Sequence, residues 1–318
     1  MYHTNAIVDS HTPTFIIPTL NEEKHLGTTL ASILHASTYF RDFEILVIDN
    51  GSTDQTIDIA YASGATVIQL QNANIGTLRN VGATRAKGDL LVFLDGDVEL
   101  HPSWGQHVGH VLTKMAKEKH ILVGSRVRPP ENGTMIERFW FAKIKPSQRH
   151  LGAAHMLVRR DFFLGLGGFD GSLETGEDAE LCNRVIHNGG DILIVESLKV
   201  THHGFPKDIW SFFRRELWHG KNDVTTGRLR LPKSRVSWTG LTFLISAIAS
   251  ILLLLLGKPL PAAIISMPLL VIILTLTIIR HDADGIFDFL FVCFLNTIYL
   301  SARGLAVFGV YTHRPNLR

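Results

Sequence analysis

The sequence is short of cysteine, of net charge and of any apolar start. Only Cys182 and Cys293 occur among its 318 residues, too few for a disulfide framework or a zinc site, so a reducing, cytoplasmic setting is expected. Lysine and arginine number 31 against 29 aspartates and glutamates, a net charge of +2, which gives no overall pull toward nucleic acid. Met1 to Pro13 is polar and has no apolar stretch behind a basic start; it does not read as a signal peptide. The half that follows is therefore expected on the cytoplasmic side. Long apolar runs are also missing, but only up to about residue 236.

Beyond that point the chain changes character. Trp238 to Leu256 and Pro259 to Ile279 contain no charged residue. At about 1.5 Å rise per residue, each can cross a hydrocarbon layer of roughly 30 Å. Gly257-Lys258 leaves room only for a tight turn between them, so an antiparallel membrane hairpin is expected. Ile286 to Ala302 is a weaker span, with Asp288 near its start, Asn296 in its middle and Arg303 just after it. Lys221, Arg228, Arg230, Lys233 and Arg235 precede the first span with Asp223 the only acid among them, which assigns that flank to the cytoplasm. Three full crossings put Arg303, Arg314 and Arg318 outside, against the same tendency; a re-entrant or interfacial third helix removes the conflict. Ile209, Phe212, Phe213 and Leu217 share one helical face, with Trp210 and Trp218 at its margins and Arg214 and Arg215 beside it. That is the pattern of an interfacial helix. The expected division is a polar tail over 1–13, a globular domain over 14–206, an interfacial helix and basic linker over 207–236, and a membrane anchor over 237–318, with spans at about 238–256, 259–279 and 286–302.

In the globular part, strand-like and helix-like segments alternate. Thr14 to Pro18, Glu44 to Ile48, Ala65 to Leu70 and Leu90 to Leu94 read as short buried strands. A helix starting at Asn21, with Glu22 and Glu23 in its first turn, and helices over Gln55 to Ser63 and Gly76 to Ala86 come between them. This alternation predicts an α/β fold with a mostly parallel sheet and helices on both faces. Such sheets bind ligands beyond the carboxyl ends of their strands. Two acidic turns stand there, Asp49-Asn50-Gly51-Ser52-Thr53-Asp54 and Asp95-Gly96-Asp97. Paired carboxylates so placed can hold a hard divalent cation, which neutralises a diphosphate leaving group; by itself the triplet reads equally as an ordinary acidic turn. Further on, Glu177-Asp178 opens a helix with Leu181 and Val185 on one face, where the macrodipole alone favours acids. His202-His203 follows a strand around Ile192 to Val200 and suits either a ligand or a polar turn.

Phe15-Ile16-Ile17-Pro18-Thr19-Leu20-Asn21-Glu22, Asp49 through Asp54, Arg79-Asn80-Val81-Gly82 and Asp95-Gly96-Asp97 stand in the order and spacing of family 2 glycosyltransferases with the GT-A fold, and the chain resembles that family over roughly Thr14 to His203. Gly152-Ala153-Ala154-His155-Met156 and Gly167-Gly168-Phe169-Asp170 extend the match. The resemblance implies a nucleotide-sugar donor. Pro18, Thr19, Glu22 and Asp49 would line its base and ribose pocket, Arg79 would face the nucleotide or its phosphates, Asp95 and Gly96 would sit near the ribose, and Glu177 would adjoin the donor. Asp97 would contact Mg2+ or Mn2+, together with His203 or, alternatively, His202. Asp178 becomes the general base of a single inverting displacement.

Processive synthases of this family carry Gln-x-x-Arg-Trp, where this chain has Arg214-Arg215-Glu216-Leu217-Trp218. With too few spans to enclose a polymer channel, that departure implies one sugar per encounter. The anchor implies a membrane acceptor, a polyprenyl phosphate, lipid-linked saccharide or glycolipid, at a bacterial inner membrane. Two other classes are tested by the same residues. A sugar nucleotidyltransferase would show a glycine- and basic-rich phosphate loop where Pro18-Thr19-Leu20-Asn21-Glu22 stands, and a relic scaffold would have lost Asp97 or Asp178.

Overall fold

The structure, a computed structural model, describes residues 11–145, 150–224 and 231–309. Expectations for residues 1–10 and for Arg228, Arg230, Arg314 and Arg318 lie outside the described residues. The chain forms two compact units, Met1–Pro130 with Ser147–Gly204, and Glu131–Pro146 with Phe205–Arg318. The second unit thus takes in Glu131–Pro146, a stretch that the sequence division placed in the globular domain.

In the first unit, β1 (Pro13–Thr19), α1 (Leu26–Ser37), β2 (Glu44–Asp49), α2 (Thr56–Ala62), β3 (Thr66–Gln69), α3 (Ile75–Arg85) and β4 (Leu90–Leu94) alternate as expected. They are followed by β5 (Val98–Leu100), α4 (Trp104–Lys117), β6 (Ile121–Gly124), β7 (Val127–Arg128), β8 (His155–Arg159), α5 (Arg160–Gly165), α6 (Glu177–His187), β9 (Asp191–Ile194) and β10 (Val200–His202). The main sheet has the order β3-β2-β1-β4-β8-β6-β9. It is parallel except at β8, which runs antiparallel to β4 and β6. A second sheet, β5-β10-β7, stands beside the carboxyl end of β4 in sequence.

The central strands are apolar on both faces because both faces are covered. Phe15, Ile17, Val92 and Leu94 join Leu26, Leu30 and Ile33 of α1 and Trp104 of α4 in one core. Their sequence neighbours Ile16, Leu91 and Phe93 point the other way, onto Leu78 of α3, Phe163 and Leu181, as the two-residue period of a strand requires. Each such side chain contributes roughly 1.5–3 kcal/mol by leaving water. Gly82 lets α3 lie directly on β1, since a Cβ there would stand 2.4 Å from Ile16 Cγ2.

Two expectations are corrected. The first helix begins at Leu26, not at Asn21. Asn21 takes a positive φ of 56°, and its side-chain oxygen accepts the Thr53 backbone N–H at 2.8 Å, bracing the next loop instead of capping a helix. The segment from Ile192 to Val200 is two strands in two sheets, broken by a turn in which the Leu198 N–H bonds to the Val195 carbonyl.

The second unit holds α7 (Ile209–His219), α8 (Arg235–Leu255), α9 (Pro259–Arg280) and α10 (Ile286–Val307). The last three are each long and apolar enough to cross a membrane. Ser250 of α8 bonds to the Ala262 carbonyl and to Ser266 of α9, as an antiparallel hairpin demands. On α7 the inward face is Phe212, Glu216 and Leu217, whereas Ile209 and Trp210 are exposed. The expected apolar stripe is therefore rotated. Glu216 turns inward because Arg303 of α10 and Arg215 neutralise it, at 2.9 and 2.7 Å.

Candidate functional site

β1, β2 and β4 are adjacent and parallel, so their carboxyl ends open on the same edge of the sheet. At β1 and β2 the loops are tied together, with the Asn50 N–H bonded to the Thr19 carbonyl at 2.9 Å. Asp49 is fully buried. Its carboxylate accepts the N–H groups of Gly51 and Ser52 at 2.9 Å and the hydroxyls of Thr19 and Ser52, so this acid builds the turn. Thr19 is buried as well, and Glu22 stands by Gly96, where an added Cβ would lie 3.2 Å from Glu22 Cγ and from Thr19 Cγ2. Pro18 is the second last residue of β1, one position ahead of Thr19.

At the end of β4, the acidic triplet is approached from β10. The His203 N–H bonds to the Asp97 carbonyl at 2.9 Å, and His202 Nε2 lies 3.3 Å from Asp97 Oδ1. Asp95, Asp97 and His202 each offer a ligand atom, all within 4.8 Å of one another. Two carboxylate oxygens and an imidazole nitrogen form a donor set that suits Mn2+ and accepts Mg2+. His203, the first-choice ligand from sequence, goes elsewhere: its Nε2 meets Glu99 Oε2 at 2.9 Å and its ring stacks on His25 at 5.4 Å. β10 ends at His202, and His203 just beyond it turns to a different acid.

Gly204 is a determinant that sequence reading missed. A Cβ there would fall 1.8 Å from Asp97 Oδ2, so any side chain displaces that carboxylate. Gly204→Ala is expected to weaken Mn2+ binding by about 10–100-fold, the usual effect of disturbing a ligand's support. A direct Mn2+ titration of the two proteins checks it.

Arg79 of α3 is the charge hub. It is 2% exposed and donates to Asp95 Oδ1 and to Glu177 Oε1, both at 2.6 Å. Burial opposes its charge, but Asp95 and Glu177 more than offset this and raise its pKa above the ordinary value. Its guanidinium also lies 5.6 Å from the Phe169 ring centroid. The neighbouring Asn80 fixes that ring, accepting the Phe169 N–H and donating to its carbonyl, each at 2.8 Å. Gly167 and Gly168, at φ 86° and 73°, make the turn that brings Phe169 there. Arg79-Asn80-Val81-Gly82 thus supplies a cation, a loop clamp and a packing notch within one turn of helix.

Glu177 and Asp178 open α6 behind Gly176, which adopts φ 77°. Burial raises the pKa of Glu177 despite Arg79. Asp178 goes the other way: burial is outweighed by His150, Arg79 and the Ala179 N–H, and its pKa is lowered. The carboxylate is partly open, at 23% side-chain exposure, with His150 Nε2 at 3.5 Å from its Oδ1. No motif singled out His150.

His155, first residue of β8, is a buried neutral histidine. Trp104 Nε1–H donates to its Nε2 at 2.9 Å, and its Nδ1 faces the Ser125 hydroxyl at 2.9 Å. Indole can only donate, so Nε2 accepts, and Nδ1 is approached by the Ser125 backbone N–H at 3.2 Å as well as by the hydroxyl. Burial pushes its pKa down to about 3. The unfolded chain binds a proton here near pH 6.5 and the folded chain does not, so this contribution to stability is complete above that pH and is lost as pH falls toward 3. The expected slope is about 1.4 kcal/mol per pH unit below pH 6. Denaturant unfolding followed by tryptophan fluorescence at pH 7 and pH 5 measures it, and His155→Gln should flatten it.

Residues 14–164 match the family model described as Glycosyl transferase family 2. Among curated proteins, the chain is 26% identical over 236 residues to "Glycosyltransferase AglE" of Haloferax volcanii, covering 70% of this chain and 76% of that protein. It is 32% identical over 143 residues to "Validoxylamine A glucosyltransferase" of Streptomyces hygroscopicus subsp. jinggangensis, covering 41% of this chain and 34% of that protein. Among solved structures, "Mannosyltransferase PcManGT from Pyrobaculum calidifontis in complex with GDP-Man and Mn2+" aligns with a TM-score of 0.58 at 17% identity, over 93% of this chain and 86% of that one; this likeness bears on the fold. The mostly parallel sheet, the matching family model and these relatives together make the chain a glycosyltransferase whose residues 14–164 form a family 2 domain of the GT-A fold.

Proposed function

We propose that the chain transfers one sugar per encounter from a nucleotide-sugar donor to a membrane-associated acceptor, with inversion and with the help of a divalent cation. The observation that carries this reading is the convergence on Arg79. Through it, the acidic triplet after β4 and the acidic start of α6, which are far apart in sequence, form one charged cluster. Asp95, Asp97 and His202 would hold the cation, which when bound offsets the charge that develops on a diphosphate leaving group. Arg79 keeps Asp95 and Glu177 in place. Thr19, Glu22 and Gly96, beside the Asp49 turn, shape the nucleoside pocket.

Asp178 is the base in this reading. An acceptor hydroxyl gives its proton to the carboxylate as its oxygen bonds to the anomeric carbon, while the bond from that carbon to the diphosphate breaks and its electrons leave with the nucleotide. One displacement inverts the anomeric centre. Against burial, His150, Arg79 and the Ala179 N–H keep Asp178 ionised at neutral pH, as a base must be.

The acceptor is proposed from the second unit: a lipid-linked saccharide or a glycolipid, which offers a hydroxyl, or a polyprenyl phosphate, whose oxygen is already anionic and needs the base less. We take α8 and α9 to cross a bacterial inner membrane with the transferase domain on the cytoplasmic side, and α10 to stay at that side. Arg303 of α10 pairs with Asp223, ahead of α8, at 2.9 Å. Gly304 abuts Gly240 in the second turn of α8, and Asn296 donates to Thr277 in the last turn of α9 at 2.9 Å. These contacts support a third helix that begins and ends at one end of the hairpin, which removes the conflict over Arg303. Offered radiolabelled UDP-, GDP- and dTDP-sugars with a native lipid extract, the purified protein is expected to move label from one of them into the organic phase. Label appearing only in water-soluble products would overturn the membrane acceptor.

A further inference from the structure

Glu177 and Asp178 are adjacent carboxylates with different cationic partners. Glu177 has Arg79, whose charge is permanent across the physiological range. Asp178 has His150, with Nε2 at 3.5 Å from Oδ1, and imidazole is the side chain that gains and loses a proton near neutrality. His150 also differs from His155 in its surroundings. His155 is sealed and accepts a bond from Trp104, whereas the His150 side chain is 47% exposed and can exchange its proton with water.

We propose that His150 and Asp178 form a proton relay: the acceptor hydroxyl gives its proton to Asp178, and Asp178 passes it to the neutral Nε2 of His150, which releases it from its open edge to solvent. This rests on the reading of Asp178 as the base. A carboxylate is by itself a weak acceptor for a hydroxyl proton; a more basic imidazole behind it makes the uptake favourable. His150 acts through Asp178 and is a positioning and relay residue, not one that touches substrate.

Arg79, Cys182 and Glu177 are the other ionisable groups around Asp178. Arg79 on α3 stays charged, and the Cys182 thiol one turn along α6 is pushed up to about 11 by burial. Glu177, whose pKa is raised, is held by Arg79. His150 itself is raised above its ordinary value by Asp178, and Glu177 adds to the effect. A relay needs His150 neutral, so activity should fall as pH drops through its pKa.

The test is the pH profile of kcat at saturating donor and acceptor for the full chain in detergent. The wild-type acid limb is expected above about pH 6.5. In His150→Gln it should move well below that, toward the carboxylate range, and the plateau should fall about 10–100-fold with donor affinity kept. Added imidazole should restore rate to His150→Ala in proportion to its neutral form, which a purely structural role would not produce. An unchanged acid limb in His150→Gln, or no imidazole rescue, overturns the relay. Asp178→Asn separates the two levels: a loss of about 10²–10⁴-fold supports the base, and such a loss with an unmoved His150→Gln limb rejects the relay alone. Wild-type activity in Asp178→Asn rejects the base and the relay with it.

Discussion

Arg79→Met is expected to lower turnover by at least about 10²-fold and to destabilise the catalytic unit by roughly 3–5 kcal/mol, the usual cost of leaving buried charges without their partner. The size follows from geometry. One guanidinium, almost wholly buried, holds Asp95 and Glu177 at 2.6 Å each, so its removal leaves two acids facing one another. Methionine keeps the stem's volume, which assigns the loss to charge and hydrogen bonding rather than to a cavity. Displacements of about 1 Å at a reacting centre cost on the order of 10²-fold in rate. Arg79→Lys should recover part of the stability but little of the rate, because an ammonium cannot span both carboxylates in the fork geometry. Denaturant midpoints and nucleoside diphosphate release, measured on the same preparations, check both halves of the expectation.

The parts of the fold that could be read from sequence are those with a strong local signal. β1, β2 and β4 were visible as apolar runs that end in polar turns, and their parallel pairing follows from the helices between them. The hairpin of α8 and α9 was visible from the absence of charge over two long segments and their two-residue link. Positions set by tertiary contacts were not legible. Asn21 has the composition of a helix start, but its side chain is used across the loop to Thr53. The inward turn of Glu216 depends on Arg303, 87 residues away, and helical periodicity alone assigns a glutamate to the outside. At the site, the choice between His202 and His203 depends on where β10 ends and which acid each ring meets, which a pair of identical residues does not disclose. His150 stands 28 positions ahead of Asp178 (178 − 150) with no spacing rule between them, and only the fold brings them to 3.5 Å. Gly204 carries a signal of a kind, a glycine directly after the paired histidines, but its meaning is the closeness of Asp97.

Asp97→Asn is the second large effect. The substitution keeps shape and removes the charge from the middle of the Asp95, Asp97 and His202 set. A cation stabilises transition-state charge on a phosphoryl leaving group by several kcal/mol, and each 1.36 kcal/mol is tenfold in rate. The expected loss is therefore about 10²–10³-fold or more. Donor binding should weaken as well, since the diphosphate meets Asp95 without the full charge that balances it. Folding should be little changed: Asp97 is not among the acids that Arg79 holds, and its backbone carbonyl, not its side chain, receives the His203 N–H.

The most direct measurement is nucleoside diphosphate release from UDP-, GDP- and dTDP-sugars by the detergent-purified protein with native lipid extract, with and without EDTA, for wild type and Asp97→Asn. The account predicts release from one donor that EDTA stops, that Mn2+ or Mg2+ restores, and that Asp97→Asn reduces at least about 10²-fold. Release that is indifferent to EDTA and to Asp97→Asn, or none from any donor with cation and lipid present, would contradict it.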